Sequence, residues 1–366
     1  MGFTCGLVGL PNVGKSTIFS ALSKNEVPRE NYPFCTIDPN VGVVKVPDDR
    51  FKLLEKVYQP DKVKPTTLEF FDIAGLVEGA SRGEGLGNQF LSHIQSVDAI
   101  IHVIRCFEDS EVTHIDSELD PRRDFEIVNN EIIMRDLQVI DTWINKIEKK
   151  TKSGEKKNLK RLEILNEIKS LLEEGQPAKV YHSHEEERRF INQLGLLSMK
   201  PILLLGNISE DDAISAEKSR IVKDFEKFAM ESGNLYLLLS ANLEEELSDL
   251  PESERNIFMN EWEIEETGLN KLVKAGYNLL NLLTFFTIES NICQAWTVPH
   301  NTTVDKAAGV IHSDFEEKFI RAEVRHWRDF EKVKSEKLLR EGGHIRVEGR
   351  DYIVRDGDII TYKIDR

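Results

Sequence analysis

Near its amino-terminal end the chain reads Gly9-Leu10-Pro11-Asn12-Val13-Gly14-Lys15-Ser16. This is a complete G-x-x-x-x-G-K-[ST] loop, the pattern that binds the phosphates of a nucleotide. The apolar run from Phe3 to Val8 precedes it, and a helical pattern follows from Ser16 to Leu22. Because a strand, a glycine-rich turn and a helix occur in this order, the sequence predicts a nucleotide-binding α/β domain.

Each polar group of the loop has an expected role. The glycines let backbone N–H groups point at phosphate, Lys15 reaches the β- and γ-phosphate oxygens, and the hydroxyl of Ser16 ligates Mg²⁺. Lys15 is therefore also a predicted catalytic residue, because it stabilises phosphate charge. The loop residues predicted to bind nucleotide are Asn12, Val13, Gly14, Lys15, Ser16 and Thr17.

A second motif, D-x-x-G at residues 72–75, follows the apolar run of residues 68–71. At the end of a strand in a P-loop enzyme, such a carboxylate holds the metal and the glycine lies beside the γ-phosphate, so Gly75 is a predicted catalytic residue. Thr36 lies between the two motifs and is expected to contact γ-phosphate and Mg²⁺; an ordinary loop threonine is the alternative. The predicted metal ligands are Ser16, Thr36 and Asp72.

The residue after Gly75 is Leu76, where Ras-like GTPases have a glutamine that orients the attacking water. Leucine cannot orient water, so either hydrolysis is slow or another polar group performs this task. A series of glycines follows and predicts a segment that rearranges on binding. These glycines are Gly79, Gly83, Gly85 and Gly87.

Selection of the base is expected at residues 207–210, which read Asn-Ile-Ser-Glu. GTP-specific members have Asn-Lys-x-Asp there, and the aspartate accepts hydrogen bonds from guanine N1–H and the 2-amino group. Glu210 is longer than aspartate and Ile208 replaces the lysine, so we predict relaxed or ATP-preferring recognition. A GTP-preferring protein is the alternative. The residues predicted at the base are Asn207, Ile208, Glu210, Ser240 and Ala241.

Short apolar runs at residues 99–104, 202–205 and 235–239 alternate with helical patterns. This alternation is typical of a parallel sheet covered on both faces. We therefore predict an α/β fold with a doubly wound, mostly parallel P-loop NTPase sheet, an inserted α-helical coiled-coil domain and a C-terminal α+β domain. The predicted domain limits are 1–123, 124–198, 199–282 and 283–366.

Two amphipathic helical patterns between residues 124 and 193 predict an antiparallel hairpin. Residues 146–161 contain eight basic and two acidic side chains and are expected at its tip, near residues 153–154. This basic tip is either an RNA contact or a solvated end of a coiled coil. The acidic run of residues 244–266 is interpreted as a solvated surface. In the C-terminal domain, Arg321, Arg325 and Arg328 are candidate RNA contacts, with the ligand left open.

The 366-residue chain has 48 Lys and Arg against 64 Asp and Glu, for a formal net charge of −16. This balance argues against a protein that binds nucleic acid over its whole surface, and no DNA partner is expected. No apolar run approaches the length of about 18 residues that spans a bilayer, and no secretion signal precedes the loop. We expect a cytoplasmic protein without a membrane partner. Its four widely spaced cysteines are expected to be core or loop residues.

Three stretches of the sequence together resemble the YchF, or Obg-like ATPase, family. They are residues 9–16, residues 31–40 (NYPFCTIDPN) and residues 72–88 (DIAGLVEGASRGEGLGN). The resemblance covers essentially the whole chain. It implies a nucleotide-binding domain that is interrupted by a helical coiled-coil domain and followed by a TGS domain with a β-grasp fold. It further implies hydrolysis of ATP in preference to GTP, and association with ribosomes or ribosomal RNA.

The resemblance also assigns two residue roles. A histidine is held to replace the missing glutamine in this family, and His114 occupies the matching place, which makes it a predicted catalytic residue. Asn12 is the loop residue that is associated with K⁺ dependence in related P-loop enzymes, so K⁺ is a candidate cofactor beside Mg²⁺. Our main hypothesis is a slow, Mg²⁺-dependent ATPase switch. The alternative is a ribosome-binding or RNA-binding module in which the nucleotide is mainly structural.

Overall fold

The computed structural model describes residues 2–24, 40–73, 86–108, 119–150, 156–289 and 291–365, with backbone alone at residues 86–89, 150 and 185. The predicted roles of Thr36, Gly75, Leu76 and His114 lie outside these residues, as do most of the glycine series and the tip of the hairpin. The chain forms two compact units. One comprises residues 1–42 and 69–272, and the other comprises residues 43–68 and 273–366.

Strands and helices alternate along much of the chain. The strands are β1 (Thr4–Val8), β2 (Val41–Lys45), β3 (Lys62–Lys64), β4 (Thr67–Asp72), β5 (Ala99–Cys106), β6 (Ile202–Ile208), β7 (Leu235–Leu239), β8 (Leu282–Glu289), β9 (Ile292–Pro299), β10 (Phe319–His326), β11 (Arg346–Glu348) and β12 (Asp358–Ile364). The helices are α1 (Lys15–Lys24), α2 (Asp49–Tyr58), α3 (Leu86–Ser96), α4 (Pro121–Lys150), α5 (Lys156–Glu173), α6 (Glu185–Leu194), α7 (Glu210–Ile214), α8 (Arg220–Ser232), α9 (Ala241–Asp249), α10 (Glu252–Glu261), α11 (Gly268–Leu279), α12 (Val304–Ile311), α13 (Ser313–Glu317), α14 (Trp327–Val333) and α15 (Glu336–Glu341).

One six-stranded sheet, to which the first unit contributes most strands, has the order β2-β4-β1-β5-β6-β7. The pairs β4–β1, β1–β5, β5–β6 and β6–β7 are all parallel, which confirms the predicted mostly parallel sheet. Strands β5 and β6 are buried along their whole length, and this explains why most of their residues are apolar. Because the strands are parallel, the loop after β1 and the carboxyl ends of β4 and β6 meet at one edge of the sheet.

Helices α4 and α5 confirm the two predicted amphipathic helices. They share a buried core with α6 and the turn that follows it. Its members on α4 and α5 are Ile133, Ile140, Ile147, Ile164, Leu165, Ile168 and Leu172. The buried carboxylate of Asp136 accepts hydrogen bonds from the backbone N–H groups of Leu197 and Ser198, both at 2.8 Å. It therefore fixes α4 to the turn that precedes β6.

The sheet of the second unit has the order β11-β10-β12-β8-β9-β3 and contains both parallel and antiparallel pairs. Apolar side chains of α12 pack within a core on this sheet, and Leu54 of α2 and Phe330 of α14 belong to a second core with Phe286. The predicted α+β character of the C-terminal region is confirmed. Residues 43–68 also belong to this unit, which the sequence did not indicate. The TGS name and the β-grasp designation stay predictions from the resemblance.

Two charged residues are buried against expectation. Arg325 is 2% exposed, donates to the Thr361 hydroxyl at 3.2 Å and lies 3.9 Å from a carboxylate oxygen of Glu336. Its interpretation as a surface contact for RNA is therefore wrong. Glu244 is 4% exposed and accepts hydrogen bonds from the first two backbone N–H groups of α11, so the acidic run of residues 244–266 is not wholly a solvated surface.

Three of the four cysteines, Cys5, Cys106 and Cys293, are buried free thiols, as expected of core residues. Cys35 lies outside the described residues. None of the helices in the described part of the chain is both long and apolar enough to cross a membrane.

Candidate nucleotide-binding site

The phosphate-binding loop needs its glycines because neighbouring groups lie very close. The backbone of Gly14 has φ = 94°, a conformation that L side chains rarely adopt, and a Cβ atom there would overlap the amide nitrogen of Asn207. A Cβ atom at Gly9 would overlap the carbonyl oxygen of Val103. The loop then enters α1, where Ile18 N–H donates to the Gly14 carbonyl at 3.0 Å.

Lys15 is buried at the start of α1, with only 7% of its surface exposed. Its ammonium group donates to the carbonyl oxygens of Gly9 at 3.0 Å and Leu10 at 2.6 Å. Burial lowers the pKa of Lys15 from 10.5 to about 8, although the Asp72 carboxylate opposes this shift. The lowered pKa means that the charged form of Lys15 is not fully compensated by nearby negative groups. A phosphate group bound at the loop would supply this compensation.

Ser16 and Asp72 meet beside this lysine. The hydroxyl of Ser16 donates to Oδ2 of Asp72 at 3.4 Å, and burial raises the pKa of Asp72 while Lys15 and Ser16 oppose the rise. A hydroxyl and a carboxylate are hard oxygen donors, which Mg²⁺ prefers. These two residues thus fit a magnesium site, in agreement with the donor set that the motifs suggested.

The side chain of Asn207 joins three elements. Its amide nitrogen donates to the carbonyl oxygen of Val13 at 3.0 Å, and its amide oxygen accepts from the N–H of Ala241 at 2.9 Å. Asn207 is only 3% exposed. It therefore fixes the phosphate-binding loop and the start of α9 to the end of β6.

A cavity of about 320 Å³ opens at this edge of the sheet. The residues that line it are Asn12, Gly14, Lys15, Ser16, Thr17, Phe107, Asn207, Ala241 and Asn242. Seven of these nine were predicted from the sequence; Phe107 and Asn242 were missed. Phe107 directly follows β5, and Asn242 directly follows the predicted segment of residues 240–241. Their positions, directly after β5 and three residues after β7, were the signal that could have found them.

Four of the residues predicted to bind nucleotide do not line this cavity, and neither does the predicted metal ligand Asp72. Val13 is buried, and its carbonyl oxygen accepts a hydrogen bond from Asn207. Ile208 is 4% exposed, and Glu210 lies in the first turn of α7. The hydroxyl of Ser240 accepts a hydrogen bond from the backbone N–H of the third residue of α9, so it caps that helix. Roles for these residues in nucleotide binding stay predictions.

The sequence matches two known families over two separate parts of the chain. Residues 4–146 match the family described as "50S ribosome-binding GTPase". Residues 282–365 match the C-terminal family of YchF GTPases, YchF-GTPase_C, which is described as "Protein of unknown function". A protein of Escherichia coli O157:H7 called "Ribosome-binding ATPase YchF" is 42% identical over 362 residues, which are 99% of both chains. The chain belongs to the YchF family.

Other YchF proteins are equally similar over their whole length. A YchF protein of Bacillus subtilis is 42% identical over 365 residues, or 100% of both chains, and that of Haemophilus ducreyi is 44% identical over the same length. The solved structure of the Schizosaccharomyces pombe YchF GTPase has a TM-score of 0.89 and 36% identity, and the match covers 99% of this chain and 98% of that one. The YchF fold is thus shared along the chain.

Proposed function

We propose that this YchF protein is a cytoplasmic, Mg²⁺-dependent hydrolase that converts ATP to ADP and phosphate, uses GTP less well, and acts as a ribosome-associated switch. The observation that carries this proposal is that Lys15, Ser16 and Asn207 line one cavity, while Ser16 also donates a hydrogen bond to Asp72. The bacterial relatives support it, since they are named ribosome-binding ATPases over their full length.

The chemistry follows from the groups at the phosphate end of the cavity. A water molecule attacks the γ-phosphorus, the bond from that phosphorus to the bridging oxygen breaks, and ADP and phosphate leave. The Lys15 ammonium stabilises negative charge on the β- and γ-phosphate oxygens. Bound Mg²⁺, held by Ser16 and Asp72 with Thr36 as a proposed third ligand, would neutralise phosphate charge. His114 is the proposed group that orients the water, and Gly75 the proposed backbone contact to the γ-phosphate.

The base end of the cavity supports a preference for adenine over guanine. GTP-specific sites have an aspartate that accepts from guanine, whereas the acidic residue here is Glu210, which does not line the cavity. The partly exposed ring of Phe107 offers a flat apolar surface on which either purine can stack. A GTP-preferring switch is the second candidate, because the YchF protein of Schizosaccharomyces pombe whose structure is solved is named a GTPase.

Nucleotide-dependent ribosome binding tests the proposed switch. We expect the fraction of protein that cosediments with ribosomes to differ between a non-hydrolysable ATP analogue and ADP, and ribosomes to change the rate of phosphate release from ATP. Equal cosedimentation in both nucleotides would favour the module in which nucleotide is mainly structural. Comparing phosphate release in KCl and NaCl tests the proposed role of K⁺ at Asn12.

Substitution of Asp72 tests the proposed magnesium site. We expect Asp72→Asn to raise the Mg²⁺ concentration for half-maximal phosphate release by about tenfold, because the amide keeps an oxygen donor and removes its charge. Asp211→Asn, on the exposed surface of α7, is the matched control and should leave the Mg²⁺ requirement unchanged. An unchanged requirement in Asp72→Asn would remove Asp72 from the proposed metal ligands.

The basic hairpin tip is the proposed contact for ribosomal RNA. Lys160 pairs with Glu187 at 3.2 Å and Arg161 lies over the ring of Phe190, whereas Lys156 and Lys157 are exposed at the start of α5. We expect Lys156→Glu with Lys157→Glu to weaken cosedimentation with ribosomes. The slope of log K against log salt should fall by about 1 for each lost phosphate contact.

A charge-matched control shows whether the position of these lysines matters. Arg220→Glu with Lys227→Glu reverses the same number of charges on the exposed surface of α8. If both double variants lose ribosome binding equally, the effect comes from net charge alone and the hairpin contact is rejected.

A further inference from the structure

We propose that Asn242 reads the hydrogen-bonding edge of the purine base, and that its amide, unlike a carboxylate, admits adenine without excluding guanine. This inference rests on the proposed function, since it concerns how the same cavity selects its nucleotide. Asn242 is the second residue of α9, is exposed, and lines the cavity directly beside Ala241.

Three neighbouring polar groups at this end of the cavity are already engaged in hydrogen bonds. The amide of Asn207 bonds to the Val13 carbonyl and to the Ala241 N–H, so the backbone donor of Ala241 is engaged as well. The Ser240 hydroxyl caps α9, and neither Ile208 nor Glu210 lines the cavity.

Asn242 differs from these neighbours. Its side-chain amide makes no hydrogen bond to any residue that the structure describes. The side chain of Asn242 is therefore available, beside Ala241, to hydrogen-bond to a base.

A free amide suits both purines because it carries one acceptor and one donor group. With adenine, the amide oxygen accepts from the 6-amino group and the amide nitrogen donates to N1. Rotation of the amide by half a turn reverses this pattern, so that the nitrogen donates to O6 of guanine and the oxygen accepts from N1–H. An aspartate has acceptors only, and these match N1–H and the 2-amino group of guanine but oppose N1 of adenine.

The nearly isosteric change Asn242→Asp is the direct test, with the affinities of MgATP and MgGTP measured by calorimetry. We expect the ratio of the ATP and GTP dissociation constants to shift toward GTP by about tenfold, the range in which one paired base edge discriminates. MgITP, which lacks the 2-amino group, should bind this variant less tightly than MgGTP. Asn242→Leu should weaken both nucleotides to a similar extent and leave their ratio near that of the unchanged protein.

Two controls separate reading of the base from damage to the fold. Mg-tripolyphosphate carries no base, so its affinity should be the same in the unchanged protein and in every Asn242 variant. Glu246→Gln, at an exposed position of the same helix, should leave both nucleotide affinities unchanged.

The inference is overturned if Asn242→Asp binds tripolyphosphate normally and keeps the original ATP to GTP ratio within twofold. It is also overturned if tripolyphosphate binding falls together with nucleotide binding, since Asn242 would then act on the loop. Failure of the proposed function has a different signature, in which the unchanged protein binds neither MgATP nor MgGTP.

Discussion

Replacing Lys15 with methionine is expected to lower kcat/KM for ATP by about 10³-fold, the upper range for losing one preorganised group that stabilises a transition state. Lys15 is the charged side chain among the described residues that line the cavity, and its ammonium is bonded to two loop carbonyl groups. Methionine fills a similar volume without charge, so packing of the loop changes little. Phosphate release under single-turnover conditions measures the effect.

Lys24→Met provides a control at the other end of α1. Lys24 lies at the surface and pairs with Asp249 at 2.7 Å, and surface ion pairs of this kind contribute little to stability. Its loss should leave phosphate release near the unchanged rate. Full activity in Lys15→Met, with this control also active, would show that Lys15 is not the phosphate-stabilising group.

Because the pKa of Lys15 is lowered, its role also predicts that ATP affinity depends on pH. Burial brings this pKa to about 8 in the free protein, and a bound phosphate favours the charged ammonium and so raises it. Above pH 8 the free protein has lost this proton and must take it up again on binding. ATP affinity should therefore fall with rising pH above 8, by up to about tenfold per pH unit, and this dependence should vanish in Lys15→Met. An affinity that is constant from pH 7 to 10 would contradict the assignment.

Asn207→Ala is expected to weaken ATP and GTP binding together by about 10²-fold. The change removes the partners of the Val13 carbonyl and the Ala241 N–H, and each buried group that loses its partner costs about 1–3 kcal/mol. Since Asn207 holds the loop and α9 together, both nucleotides should lose affinity by the same factor. Calorimetric titration with both nucleotides measures this ratio.

The variant Asn207→Asp tests separately the hydrogen bond that Asn207 donates to the Val13 carbonyl. The carboxylate still accepts from the Ala241 N–H, but it cannot donate to the Val13 carbonyl and instead places negative charge against it. It should bind as poorly as Asn207→Ala, while Asn260→Ala on the exposed surface of α10 should bind normally. A selective loss of one nucleotide would mean that Asn207 reads the base rather than supports the loop.

The strands that the sequence predicted well are the long apolar ones. Strands β5 and β6 are buried along their whole length, so most of their residues are apolar on both faces. Strand β8 was not predicted. Apolar residues occur both at the end of α11 and at the start of β8, so the sequence does not show where the helix ends and the strand begins. The placement of residues 43–68 depends on pairing of Lys62 with Ile292 across more than two hundred residues, which local patterns do not reveal.

The site residues that could be predicted are those that belong to sequence motifs. Lys15, Asp72 and Asn207 belong to motifs whose spacing is visible in the sequence, and the structure brings all three to one edge of the sheet. Phe107 and Asn242 belong to no such motif, and they line one cavity only because the sheet brings the segments after β5 and β7 to the same edge. The burial of Arg325 and Glu244 could not be predicted from the sequence, because charged side chains are usually exposed.

The most direct measurement is calorimetric titration of the purified, nucleotide-free protein with ATP and with GTP in the presence of Mg²⁺ and K⁺, followed by phosphate release from each. We expect both nucleotides to bind, ATP to bind more tightly, and phosphate to be released faster from ATP. Binding of neither nucleotide would contradict the proposed hydrolase, and tighter binding with faster turnover of GTP would make this YchF protein a GTPase switch.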